Sequence, residues 1–299
     1  MSLQTLARYF TSGRVQKLPI LDHYSNGSSS YASDFLARLS SDDGLDLSKL
    51  KASDLNRFDQ FHVGGFASTS KVISKLRLDP TITDSVILDV GSGLGGPARQ
   101  LASARPDVRV VGVDLFEPYV ELSNVFNSSL LGDNLPQFVH ADCQELSIHF
   151  PPSTFHGAYM IYVGFNVQSL ETLVEQLGVV CKRKARVSVF DVVAGPETEK
   201  EFTFPLPFAS DESSCHMLDE ESYAKAWTSK GSFQCVEEVD ETAFAISALD
   251  KAVKASRKEG ADIGLGRVMG DTFEEKIVNL REQFKDGRMK CILNVYVKI

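Results

Sequence analysis

Short apolar runs alternate with helix-compatible stretches along most of the chain after residue 85. The runs are rich in β-branched and aromatic residues, which is typical of strands that are covered on both faces. Strands that alternate with helices favour a parallel sheet joined by crossover helices. We therefore predict an α/β protein with a sheet of about seven strands and helices on both faces. The runs cover residues 86–88, 108–113, 137–139, 158–162, 187–193, 233–236 and 291–297.

Two stretches depart from this alternation. The sequence before residue 83 has helical character, so we expect helices that cap the core. After residue 194, Pro196, Pro205 and Pro207 break regular structure while Phe204 and Phe208 supply aromatic surface, a composition suited to a substrate lid. We assign residues 1–82 to an N-terminal helical cap, 83–194 to a cofactor-binding core, 195–230 to the lid and 231–299 to the completion of the sheet.

Composition limits the partners of the protein. Its 299 residues are 43% hydrophobic and 24% charged, as in an ordinary globular protein. A net charge of −9 argues against nucleic acid and anionic membranes as partners. The basic cluster at residues 182–186 is predicted to be the solvated end of a helix. No stretch approaches the roughly 18 apolar residues that a membrane span requires.

The cysteines indicate a reducing compartment. There are five of them, scattered and without a CxxC pair, which argues against a disulfide framework and a structural zinc site; no metal is predicted. We expect a cytoplasmic protein. Residues 1–18 carry three basic residues and no acid, which would also suit an organellar transit peptide, but we interpret them as the first helix. The sequence leaves both a monomer and a homodimer open.

The most informative segment is a strand that runs through glycines into a helix, at residues 86–99. Glycine permits the tight turn and lets a ligand lie against bare backbone, while amides at the start of the next helix point into the site. A nucleotide-like ligand would fit there. Gly91, Gly93 and Gly96 also satisfy the dinucleotide pattern GxGxxG, so the glycines alone leave a nicotinamide or flavin enzyme open.

Three carboxylates distinguish between these ligands. Asp89 precedes the glycines, Asp114 ends the second predicted strand and Asp142 follows the third. Ligands of open α/β sheets bind at the carboxyl ends of the strands, where these side chains would meet. Repulsion would make such a site unfavourable for pyrophosphate but tolerable for S-adenosylmethionine, which carries a sulfonium and an ammonium group and no phosphate.

The segments LDVGSGLGG (88–96), VVGVD (110–114) and HADC (140–143) resemble the first three motifs of class I S-adenosylmethionine-dependent methyltransferases. The resemblance implies a Rossmann-like methyltransferase sheet. Three further segments are similar to sarcosine/dimethylglycine-type and ubiquinone-biosynthesis-like small-molecule methyltransferases, so that the resemblance spans about residues 54 to 299. They are DQFHVGG (59–65), YVGFN (162–166) and FPLPF (204–208).

The resemblance also implies roles for individual residues. The backbone around the glycines would hold the methionine part of the cofactor, Asp89 would support its ammonium, and Asp114 would bind the ribose hydroxyls. Leu115 would pack on the adenine, and Asp142 with the Cys143 amide would read its edge. The expected cofactor-binding set is Gln60, Asp89, Gly91, Ser92, Gly93, Gly95, Asp114, Leu115, Asp142 and Cys143.

Methyl transfer from a sulfonium is a direct displacement, so the enzyme aligns the acceptor and excludes water. We name His62 and Tyr162 as catalytic candidates, although His62 could also only pack or hold the lid. The expected substrate-binding residues are Phe165, Asn166, Phe204 and Phe208. The chain departs from the family at Tyr162, in a region where relatives often have histidine, and at residues 182–185, which replace a proline-glycine turn.

These patterns favour methyl transfer to the nitrogen of a small amine, such as a sarcosine- or dimethylglycine-like metabolite. Aromatic side chains could face a cationic acceptor through cation–π contacts. Oxygen or carbon methylation in specialised metabolism remains open. A non-catalytic or repurposed relative that keeps the cofactor is a further alternative, because a fold does not fix its function.

Overall fold

A computed structural model of the chain describes residues 30–41, 45–79, 81–130, 134–197, 200–230, 232–258 and 264–299. The stretch interpreted as the first helix, residues 1–18, lies outside the described residues. In the described part of the chain, every helix is too short or too polar to cross a membrane.

One sheet of seven strands forms the centre of the protein, in the order β3-β2-β1-β4-β5-β7-β6. The prediction of a Rossmann-like seven-stranded sheet is confirmed. Its middle is apolar because all six residues of β1 are buried. The strands are β1 (Ser85–Val90), β2 (Val108–Asp114), β3 (Gln137–His140), β4 (Phe155–Ile161), β5 (Cys181–Ala194), β6 (Phe233–Asp240) and β7 (Met289–Lys298).

The direction of β7 departs from the expected parallel arrangement. Strands β1 to β5 pair in parallel, whereas β7 runs antiparallel to both β5 and β6. A single crossover helix returns the chain to the end of the sheet at which it started. Among the described residues, three helices lie between β6 and β7, and the chain enters β7 at the end of the sheet where β6 stops.

Helices cover both faces of the sheet and the site at its edge. They are α1 (Tyr31–Ser41), α2 (Ala52–Leu55), α3 (Phe66–Lys75), α4 (Gly96–Ala104), α5 (Glu117–Ser129), α6 (Leu146–His149), α7 (Leu170–Val180), α8 (Glu220–Thr228), α9 (Thr242–Ser256), α10 (Gly264–Met269) and α11 (Phe273–Lys285). Helix α7 begins where Ser169 accepts a hydrogen bond from the Thr172 amide, and α8 begins at Asp219 in the same way.

The core follows the alternation of side chains along the strands. Ile87 of β1 packs into an apolar cluster on one face of the sheet, whereas its neighbour Leu88 packs into the cluster on the other face. A third cluster, built around Phe35 and Phe58, holds the N-terminal segment against α5. This third cluster positions residues 59–65 beside the glycine turn after β1.

The basic cluster at residues 182–186 is not a helix end, and that prediction is wrong. Helix α7 ends at Val180 and β5 begins at the next residue. Register shifts as Phe155 pairs with Cys181 and Gly157 with Arg186, so extra residues of β5 bulge out of the ladder. Lys184 sits in the bulge with φ 67°. The basic residues therefore lie in an irregular part of strand β5.

The segment expected to form the lid has two parts. Between residues 200 and 218 the described backbone has only a bridge between Leu206 and Ala209 and a 3-10 turn at Glu212–Ser214. Helix α8, by contrast, belongs to the core, because Trp227 is fully buried and stacks on Tyr296 of β7 with ring centroids 4.1 Å apart. The remaining domain boundaries stay predictions.

Candidate active site

A cavity of about 380 Å³ opens at the carboxyl ends of strands β1 to β4. Its walls come from the turns after these strands, from the segment ahead of α3 and from the lid segment. This is the edge at which ligands bind in open α/β sheets. The volume lies within the range of small-molecule sites.

The glycine turn after β1 is shaped by backbone conformations that favour glycine. Gly91 and Gly93 have φ values of 67° and 52°. A Cβ added to Gly91 would lie 2.4 Å from a methyl group of Val163, and one on Gly93 would lie 2.8 Å from the Phe61 ring. The turn therefore presents bare backbone to the cavity, and a side chain at either position would distort it.

Asp114, at the end of β2, holds this turn. Its carboxylate accepts hydrogen bonds from the Gly93 amide at 2.7 Å and from the Phe116 amide at 2.9 Å. Burial raises the pKa of Asp114, and these two amides oppose the rise. Each carboxylate oxygen retains a second lone pair, so Asp114 can bind a ligand while it fixes the turn.

Asp89 lies deeper, in the strand β1 itself. Its side chain lines the cavity but is only 2% exposed. Burial raises its pKa well above the ordinary value, the neighbouring Tyr159 hydroxyl opposes this rise, and the charge of Asp114 adds to it. A buried carboxylate of this kind is stabilised in its charged form by a cationic ligand.

The third acidic position follows β3. One oxygen of Asp142 accepts a hydrogen bond from the Gln144 amide at 2.8 Å, which starts a 3-10 turn. Cys143 lines the cavity beside it, and burial raises the pKa of its thiol, so that the thiol stays protonated. Asp142 therefore stands at the cavity next to a backbone amide, an arrangement that can pair with the edge of a nucleobase.

His62 lines the cavity from the segment ahead of α3. Its Nε2 lies 3.1 Å from the Gly65 carbonyl and 3.1 Å from the Thr69 hydroxyl. A carbonyl can only accept, so Nε2 carries the proton and donates it, and Nδ1 is left with a free lone pair. Burial lowers the pKa of His62 to about 4. The imidazole is neutral at physiological pH and offers Nδ1 as a hydrogen-bond acceptor.

Tyr162 follows β4 with φ 60°, an unusual conformation for a bulky residue. Its amide donates to the Phe190 carbonyl at 2.7 Å, and its hydroxyl lies 3.6 Å from the Cys291 sulfur. Burial raises the pKa of the hydroxyl well above 10. The side chain therefore stays protonated and serves as a fixed aromatic wall of the cavity.

A comparison with known protein families matches the part of the chain that carries most of this site. Residues 87–184 match the family model described as "Methyltransferase domain", a stretch that includes the glycine turn and the three acidic positions. This stretch is a methyltransferase domain. The prediction of a methyltransferase domain is confirmed over this stretch, which spans the sheet from β1 to the start of β5.

Solved structures resemble the chain well beyond this domain. One is geranyl diphosphate C-methyltransferase from Streptomyces coelicolor, at 14% identity and TM-score 0.61 over 99% of this chain and 98% of that chain. Another is phosphoethanolamine N-methyltransferase 2 of Haemonchus contortus, at 16% identity and TM-score 0.62 over 89% of this chain and 60% of that one. A putative sarcosine dimethylglycine methyltransferase from Galdieria sulphuraria has 11% identity and TM-score 0.56 over 78% and 83%. These likenesses establish the fold.

The cavity of the methyltransferase domain gathers most of the residues expected from the sequence. Those among its lining are His62, Asp89, Gly91, Ser92, Gly93, Asp114, Leu115, Asp142, Cys143, Tyr162, Asn166 and Phe208. The Ser92 hydroxyl is buried and has no hydrogen-bond partner among the described residues. An orphaned hydroxyl beside a bare backbone turn fits a polar ligand that completes the site.

Four expected residues lie outside the lining. Gln60 is buried in a network in which it donates to Gln100 and accepts from Thr69, each at 2.8 Å. Gly95 makes the turn into α4 with φ 81°, and a Cβ there would lie 2.3 Å from the Phe138 ring. Gly95 therefore shapes the turn without lining the cavity.

The other two are aromatic residues of the predicted substrate set. Phe165 is fully buried and stacks under Phe208, with ring centroids 3.8 Å apart. Phe204 is partly buried and packs against the core. Phe165 supports Phe208 at the cavity wall, while Phe204 packs away from the lining.

The sequence interpretation missed an ion pair beneath the turn. Arg99 of α4 is 6% exposed and donates to Asp59 at 3.0 Å; it also donates to the Leu94 carbonyl. Asp59 and the adjacent Phe61 line the cavity. The charged positions were visible in DQFHVGG and in the start of α4, but only the fold brings them together. The pair ties the N-terminal segment to the glycine turn.

Proposed function

We propose that the chain is an S-adenosylmethionine-dependent enzyme that transfers a methyl group to the nitrogen of a small amine. The cofactor assignment is supported by three carboxylates that line the cavity: Asp89, Asp114 and Asp142. Together they favour a cationic ligand without phosphates. Several of the similar solved structures contain S-adenosylmethionine or S-adenosylhomocysteine.

Each carboxylate has a distinct task toward the cofactor. Asp114 accepts the ribose hydroxyl protons with the lone pairs that its two amide donors leave over. Asp142 and the Cys143 amide pair with the adenine edge. Asp89 is charged once the cofactor ammonium lies near it, because a nearby positive charge reverses the effect of burial on its pKa.

The remaining residues orient the acceptor and keep water out. The sulfonium supplies the methyl group, and the acceptor lone pair must lie along the methyl–sulfur axis. Tyr162 and Phe208 form aromatic walls whose rings are 6.5 Å apart and meet edge to face. Phe208 is 3% exposed and closes the site from the lid side. No protein nucleophile takes part in the transfer.

The state of His62 is the observation that favours nitrogen. A phenol must lose its proton to react, and His62, whose pKa burial lowers to about 4, is a poor base for accepting it. A neutral amine attacks with its existing lone pair. His62 Nδ1 can accept an N–H bond from that amine and so aim its lone pair at the methyl group.

A panel of acceptors with a labelled methyl donor tests this proposal. Primary, secondary and tertiary amines are compared with phenols of similar size, and S-adenosylhomocysteine formation is followed in single turnovers. We expect turnover with secondary amines and none with phenols. Methylation of phenols with a rate that depends on His62 would contradict the assignment to nitrogen.

A further inference from the structure

We call five residues of the cavity lining the acceptor half: His62, Tyr162, Asn166, Phe208 and Ser214. Its polar hydrogens are already bound within the protein. Both hydrogens of the Asn166 side-chain amide are donated, to the Phe208 carbonyl at 2.9 Å and to the Ser214 carbonyl at 3.1 Å. These bonds fasten the lid segment to the turn after β4.

The polar hydrogens of Ser214 and His62 are also donated within the protein. The Ser214 hydroxyl donates to the Asp211 carbonyl at 3.0 Å, and the His62 Nε2 proton goes to Gly65. The Tyr162 hydroxyl is paired with the Cys291 sulfur. These five residues therefore offer a ligand mainly lone pairs and aromatic faces.

The charges of the cavity lining also disfavour an acidic group on the acceptor. Asp59, Asp89, Asp114 and Asp142 line the cavity, whereas its lining contains no lysine or arginine among the residues that the structure describes. Arg99 forms its ion pair with Asp59 and also lowers the pKa of Asp89, but it does not line the cavity. Burying an anion without a cation to pair with it is unfavourable. An acidic group on the acceptor would therefore find no lysine or arginine to pair with among the described lining residues.

We infer that the acceptor is an apolar amine that carries neither a carboxylate nor a phosphate group. This inference rests on the proposed amine methylation and narrows it. The amine nitrogen hydrogen-bonds to His62 Nδ1, and its apolar body packs on Tyr162 and Phe208. Such an acceptor differs from sarcosine and dimethylglycine, both of which carry a carboxylate.

Two probes that differ in one group test the inference: N-methylphenethylamine and N-methylphenylalanine. We expect kcat/KM for the carboxylate-free amine to exceed that for the amino acid at least tenfold. Calorimetric titration of both probes into the complex with S-adenosylhomocysteine provides a second readout that needs no turnover. The amine should bind and the amino acid should not.

The outcomes separate this inference from the proposed function. If neither probe is methylated but only the amine binds, the selectivity stands and the proposed activity fails. Equal or stronger binding of the amino acid, or faster methylation of it, overturns the inference, as does binding of neither probe.

A charge placed at the mouth of the cavity gives a matched test within the protein. Gln168 lines the cavity and is exposed, so Gln168→Arg adds a cation without filling the interior. We expect this variant to reduce the preference for the amine severalfold through better binding of N-methylphenylalanine. Gln234→Arg, on the exposed side of the edge strand β6, should leave the preference unchanged. An unchanged preference in both variants would contradict the electrostatic basis of the selectivity.

Discussion

The Asp191 carboxylate accepts a hydrogen bond from the Gly164 amide at 2.9 Å. The same oxygen accepts a second one from the Tyr223 hydroxyl at 2.8 Å, so helix α8 and strand β5 together hold the turn that carries Tyr162 and Asn166. A Cβ added to Gly164 would lie 2.3 Å from that oxygen. This clamp stabilises the unusual backbone conformation of Tyr162 at the cavity wall.

Asp191 also makes stability depend on pH. It is fully buried, and burial raises its pKa to about 7, although three hydrogen bonds oppose the rise. The folded protein therefore holds the Asp191 proton more tightly than the unfolded chain, whose aspartates titrate near 4. This contribution to stability is present at low pH and is lost as the pH rises from about 4 to about 7.

We predict that Asp191→Asn removes this contribution. The free energy of unfolding of the wild type, relative to that of the variant, should fall by about 2.6 kcal/mol between pH 5 and pH 8. Denaturant titrations at several pH values measure it. Asp271→Asn, at an exposed position, should keep the slope of the wild type. A wild-type slope retained in Asp191→Asn would assign the pH dependence to other groups.

The sequence predicted the parts of the protein that depend on local pattern. Buried parallel strands are continuous apolar runs, and the turn after β1 needs glycine at Gly91 and Gly93, so both were visible without coordinates. Asp89, Asp114 and Asp142 were placed together because strand ends in a parallel sheet meet at one edge. All three line the cavity.

The parts that depend on tertiary packing could not be predicted in this way. The direction of β7 depends on how the helices between β6 and β7 pack, and the bulge at Lys184 has no proline or glycine to mark it. Gln60 and Phe165 lie in loops, where neither the helical nor the strand period fixes the direction of a side chain. Their burial beside the cavity, outside its lining, is decided by contacts with Gln100 and Phe208.

His62 is predicted to act on the acceptor and not on the cofactor. His62→Ala should slow single-turnover methyl transfer by tenfold or more and change the affinity for S-adenosylhomocysteine less than twofold, because its Nδ1 would orient the acceptor. His156→Ala, at the start of β4, should leave the transfer rate intact. Equal transfer rates for wild type and His62→Ala would assign His62 a packing role.

The rate should also be independent of His62 ionisation near neutral pH. Since the pKa of His62 is lowered to about 4, its protonation state does not change between pH 6 and pH 8. A rate profile with an apparent pKa between 6 and 7 that disappears in His62→Ala would contradict the neutral imidazole.

Arg99 is predicted to be essential for stability. It is buried beside Asp59 with 3.0 Å between Nη2 and Oδ2, so Arg99→Met leaves an uncompensated buried carboxylate, which costs about 3–5 kcal/mol. Denaturant titration measures this loss. Asp59→Asn in the same chain should recover part of it, which gives a double-mutant cycle. Additive effects of the two substitutions would show that the pair contributes no coupling.

The central claim is that the turn from Gly91 to Gly93 and the Asp114 carboxylate bind a phosphate-free adenosyl ligand. Asp114→Ala should weaken this binding by roughly 1.5–3 kcal/mol per charge-assisted hydrogen bond lost. The matched control is Asp107→Ala. Asp107 lies just before β2, the strand that ends at Asp114, and forms an ion pair with Arg105. This variant should bind the ligand as the wild type does.

The most direct measurement is calorimetric titration of the wild type and of these two variants with S-adenosylhomocysteine and, separately, with NADH. We predict one binding site per chain for S-adenosylhomocysteine, a loss of affinity in Asp114→Ala alone, and no heat from NADH. Binding of NADH without binding of S-adenosylhomocysteine, or wild-type affinity for S-adenosylhomocysteine in Asp114→Ala, would contradict the account.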